Sequence, residues 1–332
     1  MPLPSFPRVP LAHLPTPLEH LPRLSAHLGG PRIFVKRDDC TGLATGGNKT
    51  RKLEYLVADA LEHRADTLVT IGAIQSNHAR QTAAAASRFG LDCHLVFERR
   101  IDDPDDAYLR SGNVLLDRIF GATIHEYERG TDTDAAAAAI ADGLRGQGRV
   151  PYVIPSGGSN PIGALGYVDA ALELAGQASE AGIEMTHIVH ASGSAGTQAG
   201  LAVGLGLAGS AASLLGISVS ADRPTLEDKV WTLARATAEL IGRPDCVTRS
   251  DVVVDDRYVG DGYGIPTEAM NEAVLLLARL EGLLVDPVYT GKALAGLIDL
   301  IRQGRIDGSG DIVFVHTGGV AGLFGYHTQI TT

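Results

Sequence analysis

Short apolar, β-branched runs alternate with longer one-sided segments along almost the whole chain, and this alternation limits the fold more than any other feature. Strands are predicted over 33–36, 67–71, 93–97, 122–125, 152–154, 187–190, 214–219 and 312–315. Over 50–65, Leu53, Leu56, Val57, Ala60 and Leu61 follow the spacing of an amphipathic helix. Further helices are predicted over 77–89, 108–120, 199–207 and 269–280. Gly90, Gly121 and Gly282 stand at or near three of their ends, where a left-handed cap is needed. Such alternation builds an α/β fold of parallel sheets with helices on both faces. With 332 residues the chain has room for about two domains. No linker separates them, so one is expected to be inserted in the other.

Charge and cysteine usage narrow the function classes. The net charge is −11 and no basic tract interrupts it, which argues against nucleic acid and anionic membranes as partners. No apolar run reaches the ~18 residues of a membrane span. Residues 1–10 lack the cationic-then-apolar pattern of a secretory leader. Cys40, Cys93 and Cys246 are odd in number and dispersed, with neither metal-ligand nor disulfide spacing. A reducing cytoplasm is therefore expected, with Cys40 as a small buried hydrophobe.

Ligands of open parallel sheets bind beyond the carboxyl ends of strands. Three polar or glycine-rich segments stand at such ends: 72–78, 192–197 and 316–319. Ser192-Gly193-Ser194-Ala195-Gly196-Thr197 has the character of a phosphate cradle, since successive N–H groups and a helix N-terminus attract an anion. A plain strand-to-helix turn is the competing account. The glycines at 193, 196 and 200 do not make a GxGxxG fingerprint, and no Lys-Ser/Thr follows as in a P-loop. A single phosphate suits the segment better than a dinucleotide.

A second signal precedes the helix predicted over 50–65. Lys49, Arg51 and Lys52 crowd its first turn, where the macrodipole disfavours each positive charge by ~0.3–1 kcal/mol. The chain has only five lysines among 28 lysines and arginines. A lysine behind Gly46-Gly47 suits a task closed to arginine, the formation of a Schiff base through a deprotonatable amine. A solvated basic helix end is the alternative. One such lysine and one phosphate cradle are the minimal requirements of pyridoxal 5′-phosphate.

Longer motifs sharpen this reading. Gly46-Gly-Asn-Lys49-Thr-Arg-Lys-Leu-Glu54, Gln75-Ser76-Asn77-His78, Ser192–Thr197, Asp286-Pro-Val-Tyr289-Thr290-Gly-Lys292 and His316-Thr317-Gly-Gly319 closely resemble the D-cysteine desulfhydrase / 1-aminocyclopropane-1-carboxylate deaminase family. The resemblance runs from about Leu11 to Tyr326. It implies the tryptophan-synthase-β-like fold, pyridoxal-phosphate fold type II. It implies a larger domain of 1–50 and 164–332, a smaller inserted domain of 51–163, and a homodimer. By the same resemblance Lys49 is the Schiff-base lysine. Asn77, the loop Gly193, Ser194, Ala195, Gly196 and Thr197, and Thr317 hold the cofactor. Ser76, Asn77, His78, Tyr263, Tyr289 and Thr290 surround a small amino-acid substrate, with Lys49, Ser76, Tyr263 and Tyr289 catalytic. Packing is the alternative for His78 and the two tyrosines, and Lys292 and His316 read as structural.

The resemblance also indicates a branch. The deaminases carry Glu where this chain has Thr290, Leu where it has Thr317 and Gln where it has His78. All three departures favour carbon–sulfur β-elimination over ring opening. Segments 11–20, 37–46 and 196–200 look more like the L-cysteate sulfo-lyases, with Thr45 and Gln198 as polar residues near the expected site. L-cysteate, giving pyruvate, ammonia and sulfite, is therefore the expected substrate. D-cysteine, giving sulfide, is the alternative, and the cyclopropane amino acid comes third.

Overall fold

A computed structural model describes residues 6–306, 308 and 310–330 of the chain. The reading of a missing leader over 1–10 falls partly on residues 1–5, outside the described residues. Among the described residues, no helix is long and apolar enough to cross a membrane.

Among the described residues, ten strands form two sheets. In chain order they are β1 (Leu18–His20), β2 (Ile33–Lys36), β3 (Thr67–Ala73), β4 (Asp92–Glu98), β5 (Thr123–Tyr127), β6 (Pro151–Ile154), β7 (Met185–Ser192), β8 (Ser213–Ser218), β9 (Val253–Asp255) and β10 (Asp311–Val315). The six-stranded sheet has the order β1-β2-β10-β7-β8-β9, and the four-stranded sheet β5-β4-β3-β6. Every pairing is parallel except β1 with β2, an antiparallel edge that the strand–helix alternation does not foretell.

The alternation of side chains sorts the core of the larger sheet into two layers. Phe34, Ile188, Val313 and Val315 point to one face, where they pack with the helices Pro161–Ala181, Gly196–Ala208 and Arg223–Leu240. Ile33, Val35, Val189, Ile312 and Phe314 point to the other, against Glu268–Glu281 and Thr290–Arg302. Every residue of β3 and of β10 is buried, as expected of strands covered on both sides.

Two expectations are corrected. The single helix over 108–120 is broken into Asp106–Arg110 and Gly112–Ile119. Gly112 has φ +58°, and a Cβ there would lie 2.7 Å from both Ala321 O and Gln75 Oε1. The break lets Asn113 N–H donate to Gln75 Oε1 at 2.9 Å, while Gln75 Nε2 donates to Ser111 O at 2.9 Å. Cys40 is exposed rather than buried.

Candidate active site

The carboxyl ends of β3, β6, β7 and β10 open onto one cavity of about 860 Å³. Its lining includes Lys49, Ser76, Asn77, His78, the loop 192–195, Thr197, Tyr263, Tyr289 and Thr317.

Three sequence motifs meet at Lys49, the first residue of the helix Lys49–Glu62. Asn48 N–H donates to Thr317 O at 3.0 Å, and Asn48 Nδ2 donates to Thr197 Oγ1 at 2.9 Å. Lys49 Nζ donates to Asn48 Oδ1 at 3.0 Å. Burial, joined by the positive charge of Arg80, pushes the Lys49 amine down to about 8, with Asp286 opposing. The helix start is not a solvated basic end. Arg51 is buried, with its guanidinium on Asp38 and Glu173. Lys52 is buried without a carboxylate partner, and its Nζ donates to Gly157 O at 3.0 Å. Burial, with Lys49 beside it, holds the Lys52 amine well below its usual value.

The loop after β7 carries donors in need of an anion. Ala195 stands at φ +74°, rarely adopted by a residue with a side chain and typical of strained functional turns. The N–H groups of Gly193, Ser194 and Ala195 have no protein acceptor among the described residues. A Cβ on Gly196 would come within 2.8 Å of Lys52 Nζ, so the lysine sits against this loop. Gly196 itself does not line the cavity; its N–H donates to Ser159 Oγ at 3.2 Å, and Ser159 Oγ donates to Ser194 Oγ at 2.9 Å. An uncompensated lysine, free N–H groups and a helix N-terminus make a chemically suitable seat for a phosphate. With the Lys49 amine in the same cavity, these residues fit pyridoxal 5′-phosphate.

Ser76 caps the helix Asn77–Phe89, its Oγ accepting from Ala79 N–H at 3.1 Å. His78 Nε2 meets Thr70 Oγ1 at 2.8 Å. Because Thr70 Oγ1 donates to Ile154 O, the imidazole donates from Nε2, and its buried Nδ1 has no partner. Burial, with Lys49 and Lys52 nearby, holds the His78 imidazole well below its usual value. Tyr263 and Tyr289 share a hydroxyl–hydroxyl hydrogen bond, with their rings edge-on 5.8 Å apart. Burial raises both phenols, so both hydroxyls keep their protons at neutral pH. Lys292 holds the turn before Tyr263 by donating to Val259 O at 2.6 Å and Gly262 O at 2.9 Å.

Thr290 is a correction. It is buried outside the cavity lining, and its hydroxyl donates to Asp286 Oδ1 at 2.6 Å. That carboxylate also accepts from the N–H groups of Val288, Tyr289 and Thr290, and so closes the turn into the helix Thr290–Arg302. Gln198 lines the cavity but is engaged on both sides, Oε1 accepting from Ser192 Oγ at 2.7 Å and Nε2 donating to Val253 O at 2.8 Å. Thr45 lies outside the lining.

Ser159, Arg80 and Arg100 were not singled out from sequence, and Lys52 was noted only as one of three cations at a helix start. Ser156-Gly-Gly-Ser-Asn160 could have exposed Ser159, being a glycine-rich turn after a strand. The isolated arginines carry no such signal.

The description "Pyridoxal-phosphate dependent enzyme" matches residues 9–318. D-cysteine desulfhydrases of Salmonella newport and Salmonella heidelberg are each 50% identical over 325 residues, 98% of this chain and 98% of theirs. A solved structure titled as an ACC deaminase homologue superposes with a TM-score of 0.87 at 40% identity, covering 98% of this chain and 96% of its own. A threonine deaminase from T.th. shares the fold, with a TM-score of 0.64 at 22% identity and 92% of each chain covered. The chain therefore belongs to the pyridoxal-phosphate-dependent enzymes of fold type II, within the D-cysteine desulfhydrase / 1-aminocyclopropane-1-carboxylate deaminase family.

Proposed function

We propose that the chain catalyses β-elimination from D-cysteine, releasing pyruvate, ammonia and sulfide. The observation that carries this reading is the presence in one cavity of a readily deprotonated amine, Lys49, and a pair of protonated hydroxyls, Tyr263 and Tyr289. Bound pyridoxal 5′-phosphate supplies an electron sink for the substrate's Cα. Lys49 Nζ, with its lowered proton affinity, accepts the Cα proton. As the Cβ–S bond breaks and its electron pair leaves with sulfur, a tyrosine hydroxyl of the pair delivers a proton to it. The second hydroxyl holds the first in place through their shared hydrogen bond. Thr317 contributes a neutral hydroxyl, and the carboxylates among the lining residues, Asp134 and Asp228, are both exposed. The desulfhydrase names of relatives at 50% identity support D-cysteine over L-cysteate.

One observation favours a second reading, elimination of sulfite from L-cysteate. Arg100 lines the cavity with its guanidinium 5.2 Å from the centre of the Tyr263 ring. Its Nε donates to Glu98 at 2.7 Å, and its terminal nitrogens have no protein partner among the described residues. It offers a sulfonate the cation that neither Thr45 nor Gln198 supplies. Parallel steady-state kinetics on D-cysteine, L-cysteine, L-cysteate and the cyclopropane amino acid separate the readings. Sulfide release from D-cysteine at the highest kcat/KM is expected, with negligible 2-oxobutanoate. A tenfold preference for L-cysteate overturns the assignment.

Residues 51–163 are read as a smaller domain inserted in 1–50 and 164–332, and the active form as a cytoplasmic homodimer. Light scattering on the eluting protein tests the dimer.

A further inference from the structure

Arg80 is completely buried, yet none of its hydrogen bonds goes to a carboxylate. Its Nη1 donates to Asn77 Oδ1 at 2.9 Å and to Asn113 Oδ1 at 2.6 Å. Its Nη2 donates to Gly46 O at 2.7 Å, and its Nε has no partner. A buried guanidinium keeps its charge at neutral pH. Burying that charge without an ionic partner is costly, so its retention calls for a compensating role.

The contacts indicate two effects. Asn77 Oδ1 receives a second donor, Asn113 Nδ2, at 3.0 Å. With both donors on its oxygen, the Asn77 amide has one orientation, and Nδ2 is left as a free donor on a cavity-lining residue. Asn113 is itself fixed, its N–H on Gln75 Oε1 and its Nδ2 also on Gln75 O. The bond to Gly46 O anchors the turn that presents Lys49, and the charge acts on the Lys49 amine.

We propose that Arg80 is a positioning residue with two separable actions: its fork orients the Asn77 amide toward the cofactor seat, and its bond to Gly46 O holds a positive charge against the turn that presents Lys49. The proposal rests on the reading of Lys49 and Asn77 as site residues, and not on which sulfur compound is the substrate. The charged and titratable groups acting around them are Asp286 on Lys49, Asp117 and Asp286 on Arg80, and Lys52 and His78 beside Lys49. Asp117 is buried with both oxygens unpartnered, and burial pushes its carboxyl up to about 8, so it neutralises Arg80 poorly at pH 7.

Arg80→Gln removes the charge, Arg80→Lys keeps the charge and loses the fork, and Asn113→Ala removes one support of Asn77 together with one acceptor of Arg80. Two readouts are independent of turnover. Lys49 protonation in cofactor-stripped protein is followed by competitive acetic anhydride labelling against pH with peptide mass spectrometry. Affinity for pyridoxal 5′-phosphate is measured by titration of the stripped protein. Arg80→Gln is expected to raise the midpoint of Lys49 labelling by about one pH unit, while Arg80→Lys and Asn113→Ala leave it in place. Arg80→Lys and Asn113→Ala are each expected to weaken cofactor binding about tenfold. An unmoved midpoint in Arg80→Gln overturns the charge action. Unchanged affinity in Arg80→Lys overturns the orienting action; if the Arg80 variants do not fold, Asn77→Ala decides it, because affinity equal to the parent's would leave Arg80 no Asn77 amide contact to orient.

Discussion

Replacing Lys49 with methionine is expected to destroy activity and to make the cofactor-free protein more stable. The amine falls from 10.5 to about 8 on folding. At about 1.4 kcal/mol per factor of ten in proton affinity, this opposes folding by about 3 kcal/mol. Lys49 lines a cavity open to solvent, so screening brings the expected gain on substitution to between about 1 and 3 kcal/mol. Between pH 8 and 10.5 the unfolded chain holds a proton here that the folded chain has lost, so stability rises with pH across that window. The penalty in the unmodified protein is thus complete below pH 8 and gone above 10.5. Urea unfolding of both stripped proteins at pH 7 and pH 10, followed by circular dichroism, measures the difference. Burial of the methionine itself adds a constant that does not depend on pH. The reasoning is refuted if the variant is less stable at pH 7, or if its advantage is as large at pH 10 as at pH 7.

Other outcomes follow from single contacts. Gly46→Ala puts a Cβ 1.9 Å from Asp39 O at φ +75°, whereas Gly90→Ala meets nothing within 4 Å at φ +67°. The first is expected to cost about 3 kcal/mol or more and the second about 1 kcal/mol; equal losses in denaturant midpoints would show that the Gly46 turn relaxes. Tyr289→Phe is expected to lower kcat for D-cysteine about 100-fold with the visible absorbance of the bound cofactor intact. A rate within twofold of the parent would rule out proton delivery by the tyrosine pair. The His78 ring, neutral through burial, is expected to show no titration in NMR spectra between about pH 5.5 and 8. A midpoint near the ordinary histidine value would contradict the placement of Nε2 on Thr70.

The strands and most helices were legible because their signal is local. The β-branched, apolar-rich run of β3 and the Ala-rich segment ending at Gly90 each declare their element without help from the rest of the chain. β1 and β9 escaped notice because three residues carry too little pattern. The break at Gly112 was invisible because its cause is distant in sequence: Gln75, 38 positions before Asn113, takes the Asn113 N–H. The site divided in the same way. Lys49 and the loop 193–197 stood out as motifs, whereas Lys52 and Arg80 are charges whose meaning lies in burial. Thr290 was misread for the converse reason. A polar residue inside a motif looks like a ligand contact until its hydrogen bond is found to be spent on Asp286.

The position of β10 between β2 and β7 fixes when the protein can become an enzyme. Thr317 stands two residues beyond the carboxyl end of β10, and Thr317 O in turn receives the N–H of Asn48, next to Lys49. Arg32 and Asp311, which flank this seam and pair across it, are 279 residues apart. At roughly 5–20 residues per second, translation needs tens of seconds to span that gap. β2 throughout that interval, and β7 once residues 185–192 have been made, expose unpaired edges toward the place β10 will fill, open to mispairing. A nascent chain halted before residue 311 therefore lacks the backbone acceptor that positions Asn48. Cofactor capture is a late event in the life of the chain, and conditions that slow synthesis of its last quarter lengthen exposure to aggregation before any protection by the cofactor begins.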